Sequence, residues 1–282
     1  LFYLRVTAMT TYFEKPFTLA PKLDANGYIQ KLASAEHISP PYDVVVQSAI
    51  SNICKTALPV HSIYVYGSVA EGRARPPNSD LDMTVVLNGN ATDDWQSTLQ
   101  TLQKDLELAH PIVSSVDLPS VTLEEVMRPQ SYYGWGYLFA VSCCCVYGDD
   151  LGPSFGPYRP SWQLAHGLNG DLEEVLLSYK TELSKSGTDV EKQCRGAARK
   201  ILRAAFCLIM AEENIPVPSL LESRNALTRH FPQQTQGFDL ALKLAITPLN
   251  DEAAVLEMLD SIGAWVAGQL RIRKINSLSA SN

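Results

Sequence analysis

The stretch Tyr64-Val65-Tyr66-Gly67-Ser68, followed by Ser79-Asp80-Leu81-Asp82, limits what this chain can be more than any other part of its sequence. An apolar run enters a Gly-Ser turn, a polar segment covers Glu71 to Asn78, and a second apolar run opens with carboxylates two residues apart. Side chains in a strand alternate faces, so Asp80 and Asp82 point one way and Leu81 the other, into the core. Neighbouring carboxylates repel each other and are tolerated mainly where a divalent cation lies between them. An all-oxygen ligand set suits Mg²⁺, which also accepts phosphate oxygens and waters. Gly67-Ser68 fits a tight strand-to-helix turn whose free backbone N–H groups favour an anion.

Gly67-Ser68, Gly72 and the run Ser79-Asp80-Leu81-Asp82-Met83-Thr84-Val85-Val86 together resemble the signature of the DNA polymerase β-like nucleotidyltransferase superfamily. The form is most similar to the bacterial branch of minimal and aminoglycoside nucleotidyltransferases. This resemblance implies transfer of a nucleoside monophosphate, AMP from ATP, to a hydroxyl acceptor with release of pyrophosphate. Asp80 and Asp82 would be the Mg²⁺ ligands. The superfamily also implies a third acidic residue on a neighbouring strand, as metal ligand or as general base, and Asp117 stands where one is expected. As bare sequence, Asp117 reads equally as a solvated turn residue, and Glu124 and Glu125 are fallbacks. Gly67, Ser68 and Ser79 form the expected nucleotide-binding turn, with Ser68 touching phosphate through its hydroxyl and backbone N–H. A plain N-cap at Ser68 would have the same geometry.

A second basic element lies further along. Arg195, Arg199 and Arg203 recur every four residues with Lys200 beside them, opposite the apolar Ala198, Ile201, Leu202 and Ala205. Periodicity alone reads this as a solvated basic stripe. Related two-domain nucleotidyltransferases use a helix of the second domain to hold phosphates, so resemblance adds Arg199 and Lys200 to the nucleotide-binding set. Arg73 and Arg75 are loop charges within reach of a triphosphate or simply of water. Asp149-Asp150 resembles a strand-exit loop of the same branch, or is a turn. The aromatic cluster Tyr132, Tyr133, Trp135 and Tyr137 is either a base-stacking surface or core packing.

Composition narrows the partners. A net charge of −7 opposes a broad nucleic-acid surface, which needs clustered Lys and Arg, and is compatible with a cationic small substrate. The six cysteines form no CxxC, and three are consecutive in an apolar run. They read as small buried hydrophobes in a reducing, cytoplasmic compartment. The longest uncharged run, Pro129 to Gly148, carries polar and aromatic residues and reads as helix plus strand, not a membrane span. The expected partners are a nucleoside triphosphate and a small-molecule or protein acceptor, without extended nucleic acid or membrane. Two rival readings are a protein-modifying nucleotidyltransferase of a toxin–antitoxin-like module and a non-catalytic nucleotide-binding or scaffold protein.

The expected architecture is α/β (α+β): a polymerase-β-like domain with a short mixed sheet over residues 10–155, then a helical bundle over 156–276. Residues 1–9 read as an upstream extension and 277–282 as a mobile tail. Within the first domain the pattern predicts an arm over 10–42 with a helix near Tyr28 to Ala35, then a helix over Asp43 to Thr56. Strands are expected at His61 to Tyr66, Leu81 to Leu87, Pro111 to Leu118 and Ala140 to Tyr147, with a helix from Asp93 to Ala109 and another starting at the Thr122 capping box. The Gly/Pro-rich stretch Gly152 to Pro160 marks the boundary. Five helices are expected beyond it: Trp162–Lys185, Asp189–Glu213, Ser219–His230, a segment near Gly237–Ile246, and Glu252–Ile272.

Overall fold

Buried strands with apolar residues on both faces need a layer on each side. A computed structural model describes residues 22–279 except 91 and 217. The upstream extension, the arm over 10–21 and the last three residues of the expected tail lie outside the described residues. The described chain divides into two compact units after Tyr158.

In the first unit, β1 (Val60–Tyr66) is the middle of a mixed sheet. It runs antiparallel to β2 (Leu81–Leu87) on one side and to β5 (Cys143–Gly148) on the other. The short strands β3 (Val116–Asp117) and β4 (Ser120–Thr122) both lie parallel to β2. One face of the sheet, with Ile63, Val65, Leu81, Met83, Val85 and Leu87, packs into a core with α1 (Tyr42–Cys54) and the longer helix Asp93–Ala109. The buried positions of α1, Tyr42, Val45, Val46, Ala49 and Ile53, follow the helical period. Between β1 and β2 stands α2, a single turn over Gly67–Ala70, so the Asp93–Ala109 helix is α3. A further single turn, α4 (Leu123–Val126), starts where Thr122 Oγ1 accepts the Glu125 N–H at 3.1 Å.

Three expectations for this unit change. The strand predicted over Pro111 to Leu118 shrinks to Val116–Asp117. Val113 N–H bonds back to His110 O in a turn, and the Glu107 carboxylate takes Val116 N–H at 2.8 Å, so the paired strand begins only at Val116. No helix forms near Tyr28 to Ala35. There the Asp24 carboxylate accepts the N–H groups of Asn26 and Tyr28, and Ile29 N–H donates to Tyr158 O. Strand β5 begins at Cys143, because Leu138–Ser142 still winds as a wide, π-type turn.

The second unit is helical. Its centre is α7 (Val190–Phe206), preceded by α5 (Trp162–Asn169) and α6 (Leu172–Leu183). After it come α8 (Met210–Glu213), α9 (Leu220–His230), α10 (Thr235–Ile246), α11 (Glu252–Met258) and α12 (Ala264–Ser279). Helix α7 packs against α5, α6, α9, α10 and α12, and its alanines 197, 198, 204 and 205 are buried. The single helix predicted over Trp162 to Lys185 breaks at Gly170, where a Cβ would stand 2.5 Å from His166 O. Ser219 caps α9 in a full capping box with Glu222. The last helix runs to Ser279, past the start of the tail predicted at 277. Among the described residues no helix is long and apolar enough to cross a membrane.

Candidate active site

Strand β2 is buried along its whole length, yet it carries a carboxylate: Asp82 is 1% exposed. An isolated charge in such a place costs several kcal/mol, so it persists only where other groups or a ligand offset it. Alternation turns Asp82 away from the face covered by α1 and α3, to the side that also carries Tyr64, Tyr66 and Thr84. The parallel register sets Asp82 directly beside Asp117 of β3. Asp80 immediately precedes β2 and is half-buried. Its neighbour Leu81 is locked to the adjoining chain by a bond from its N–H to Ser115 O at 2.9 Å.

The Gly-Ser turn closes on the same point. Gly67 has φ +70°, a left-handed conformation that glycine adopts without strain. A Cβ there would lie 2.4 Å from Asp82 Oδ2. The backbone of α2 therefore approaches the carboxylate as closely as a chain without a side chain allows. Ser68 follows, and its hydroxyl oxygen is buried with no hydrogen-bond partner among the described residues. The loop to β2 is held from within: Arg73 Nε donates to Glu71 at 2.8 Å, and Ser79 Oγ accepts Arg75 N–H at 2.8 Å. Ser79 O takes the N–H of Ser114 at 3.0 Å, which fastens the start of β2.

Gly67, Ser68, Asp82 and Asp117 are thus brought together by strand register and one turn, with Ser79 and Asp80 at the mouth of β2. Among the described residues no three His, Cys, Asp or Glu side chains are arranged as a ready-made metal site. The oxygen-only donors and the glycine cradle fit a hard cation whose remaining ligands come from a phosphate-bearing substrate.

Arg199 and Lys200 belong to the second unit. Lys200 is 1% exposed and its ammonium contacts Asp171 at 2.7 Å, so it is a buried ion pair and not the edge of a solvated stripe. Arg203 is buried too. The cause is the crowding of α7 by helices on several sides, which periodicity read as one apolar face does not reveal. Glu124 and Glu125 are occupied with Arg128. Asp150 accepts Gly152 N–H at 2.9 Å, a turn-forming role. The aromatic cluster is packing: Tyr132 and Tyr133 lie against Tyr158, and Trp135 stacks on Phe139.

Sequence reasoning missed Tyr42. This phenol at the start of α1 is buried, lies beside Ser79 and Asp80, and has its pKa raised, first by burial and also by the Asp80 charge, while Ser79 offsets part of the rise. The sequence puts it at the end of the arm expected over 10–42, with no signal of its own, and only the folded chain brings it to the mouth of β2.

The strands that pair Asp82 with Asp117 beside the Gly67 turn lie within the part of the chain that matches a known family. Residues 48–128, which include β1, the Gly67 turn, β2 and β3, match the family described as polymerase beta, nucleotidyltransferase. Among solved structures it is similar to spectinomycin adenyltransferase AAD(9) from Enterococcus faecialis, solved with ATP and spectinomycin. That likeness covers 80% of this chain and 99% of the other at 16% identity, with a TM-score of 0.46. No curated protein matches the sequence.

Proposed function

We propose that the protein transfers AMP from ATP to a hydroxyl group of a small, cationic, aminoglycoside-like acceptor. The observation that carries the transfer reading is the close approach of the Gly67 turn to Asp82, whose Oδ2 a Cβ at position 67 would meet at 2.4 Å, on a strand whose Asp82 is paired in register with Asp117. The acceptor oxygen attacks the α-phosphorus, the bond to the β-phosphate oxygen breaks, and pyrophosphate leaves. A bound Mg²⁺ would neutralise the charge developing on the phosphate oxygens. Asp80 and Asp82 would hold that cation, with Asp117 completing the oxygen set or taking the proton of the acceptor hydroxyl. Ser68 offers its buried hydroxyl, and Gly67 keeps the turn close enough for backbone N–H groups to face phosphate. The net charge of −7 supports a cationic acceptor over a nucleic-acid strand.

The test is incubation with labelled ATP, Mg²⁺ and either a panel of aminoglycosides or a cell lysate. A labelled aminoglycoside with release of pyrophosphate is expected. Label on a protein band would move the acceptor class to proteins, and no label anywhere would remove the catalytic reading. Asp82→Asn should lower transfer at least about a hundredfold with the fold intact. Asp117→Asn separates its two roles: a ligand role weakens Mg²⁺ affinity, whereas a base role lowers turnover at unchanged affinity.

A further inference from the structure

The helical unit contains a cavity of about 20 Å³ where the ends of α5 and α7 and the start of α9 meet. Leu168, Phe206 and Met210 supply apolar walls, and Asn169, Arg203 and Ser223 supply polar groups. All three polar residues are buried, Asn169 at 5% exposure. Asn169 Oδ1 has no hydrogen-bond partner among the described residues, although such atoms are costly to leave unmatched. Ser223 Oγ donates to Ser219 O at 2.9 Å and keeps lone pairs for a further donor.

These groups select the occupant by elimination. An anion offers no proton to Asn169 Oδ1. A cation is repelled by the Arg203 guanidinium. An apolar molecule leaves the carbonyl oxygen unmatched. What remains is a neutral molecule that both donates and accepts, and a cavity of this size, against a minimum of roughly 10–15 Å³ for a water, holds one. We propose that the cavity is a built hydration site, in which a single ordered water donates to Asn169 Oδ1 and Ser223 Oγ and accepts from Arg203. The water links groups on three helices, and it makes the junction dependent on a solvent molecule as well as on packing.

A crystal structure of the full chain tests this directly. The expected result is one water peak within hydrogen-bond distance of Asn169 Oδ1 and the Arg203 guanidinium. An empty cavity, an ion, or Asn169 Oδ1 paired directly with a protein donor would overturn it. Water-oxygen relaxation dispersion on the wild-type chain and on Ser223→Leu, which fills the space, gives a second reading. The variant should have one long-lived internal water fewer; an equal number in a folded variant would contradict the proposal.

Discussion

A methyl group at position 67 would meet both obstacles that the turn presents: a φ of +70° and a carboxylate oxygen 2.4 Å away. Gly67→Ala should therefore cost about 1–2 kcal/mol from backbone conformation alone, seen as a lowered Tm, and should lower nucleotidyl transfer more than any stability loss explains. An Ala variant with wild-type turnover would show that the close approach has no catalytic use. The cysteines give a second check at this scale. Cys54 is exposed, whereas burial pushes the Cys144 thiol up to about 11 and the Cys207 thiol up to about 12. A thiol reagent at neutral pH should modify Cys54 first, and Cys144 and Cys207 only on unfolding. Much of the site was legible in the residues themselves: a Gly-Ser turn and two acids spaced by two are local patterns that follow from chain geometry. Tyr42 and Lys200 were not, because burial and partners depend on segments far away in sequence.

Elements differ in the same way. Strands β1 and β2 and helix α3 follow their sequence periods closely, since a buried strand or a long amphipathic helix repeats its signal many times. Short elements repeat it too few times to outvote a single side chain. A turn closed by Val113 N–H on His110 O takes the first part of the strand predicted over Pro111 to Leu118, and Asp24 replaces a predicted helix with a turn. Helix α7 shows the limit in another form, because its polar residues 200 and 203 face neighbours and not water. Lys200→Ala strips Asp171 of its partner. Asp171 is 30% exposed and can turn to solvent, so the cost should fall below the roughly 3 kcal/mol lower end for fully buried pairs. Lys200→Met, which keeps the volume, should recover part of it, and denaturant unfolding of both variants measures the difference. Equal losses in the two would mean that packing and not the ion pair sets the stability of α7.

Over the whole molecule, charge ties the helical unit together at its ends. Glu213 accepts from His230 at 2.8 Å and from Arg229 at 2.9 Å, and Glu212 from Arg273 at 3.2 Å, which links α8, α9 and α12. The His230 hydrogen bond, aided by Arg229, holds the Glu213 carboxyl below its ordinary value of 4.5. A carboxyl lowered on folding contributes stability that is present above the unfolded value and is lost as pH falls through the folded one. Stability should therefore decline on acidification below about pH 4.5, and Glu213→Gln should flatten that decline. An unchanged acid limb in the variant would remove Glu213 as a contributor. The account of function rests on the first unit. Its central claim is that Asp80 and Asp82 bind a nucleotide through a divalent cation at the Gly67 turn. Calorimetric titration of ATP with and without Mg²⁺, on the wild-type chain and on Asp80→Ala/Asp82→Ala, tests it most directly. Mg²⁺ should strengthen ATP binding in the wild type and have no such effect in the double variant, whereas a folded double variant that binds ATP with undiminished Mg²⁺ dependence would contradict the claim.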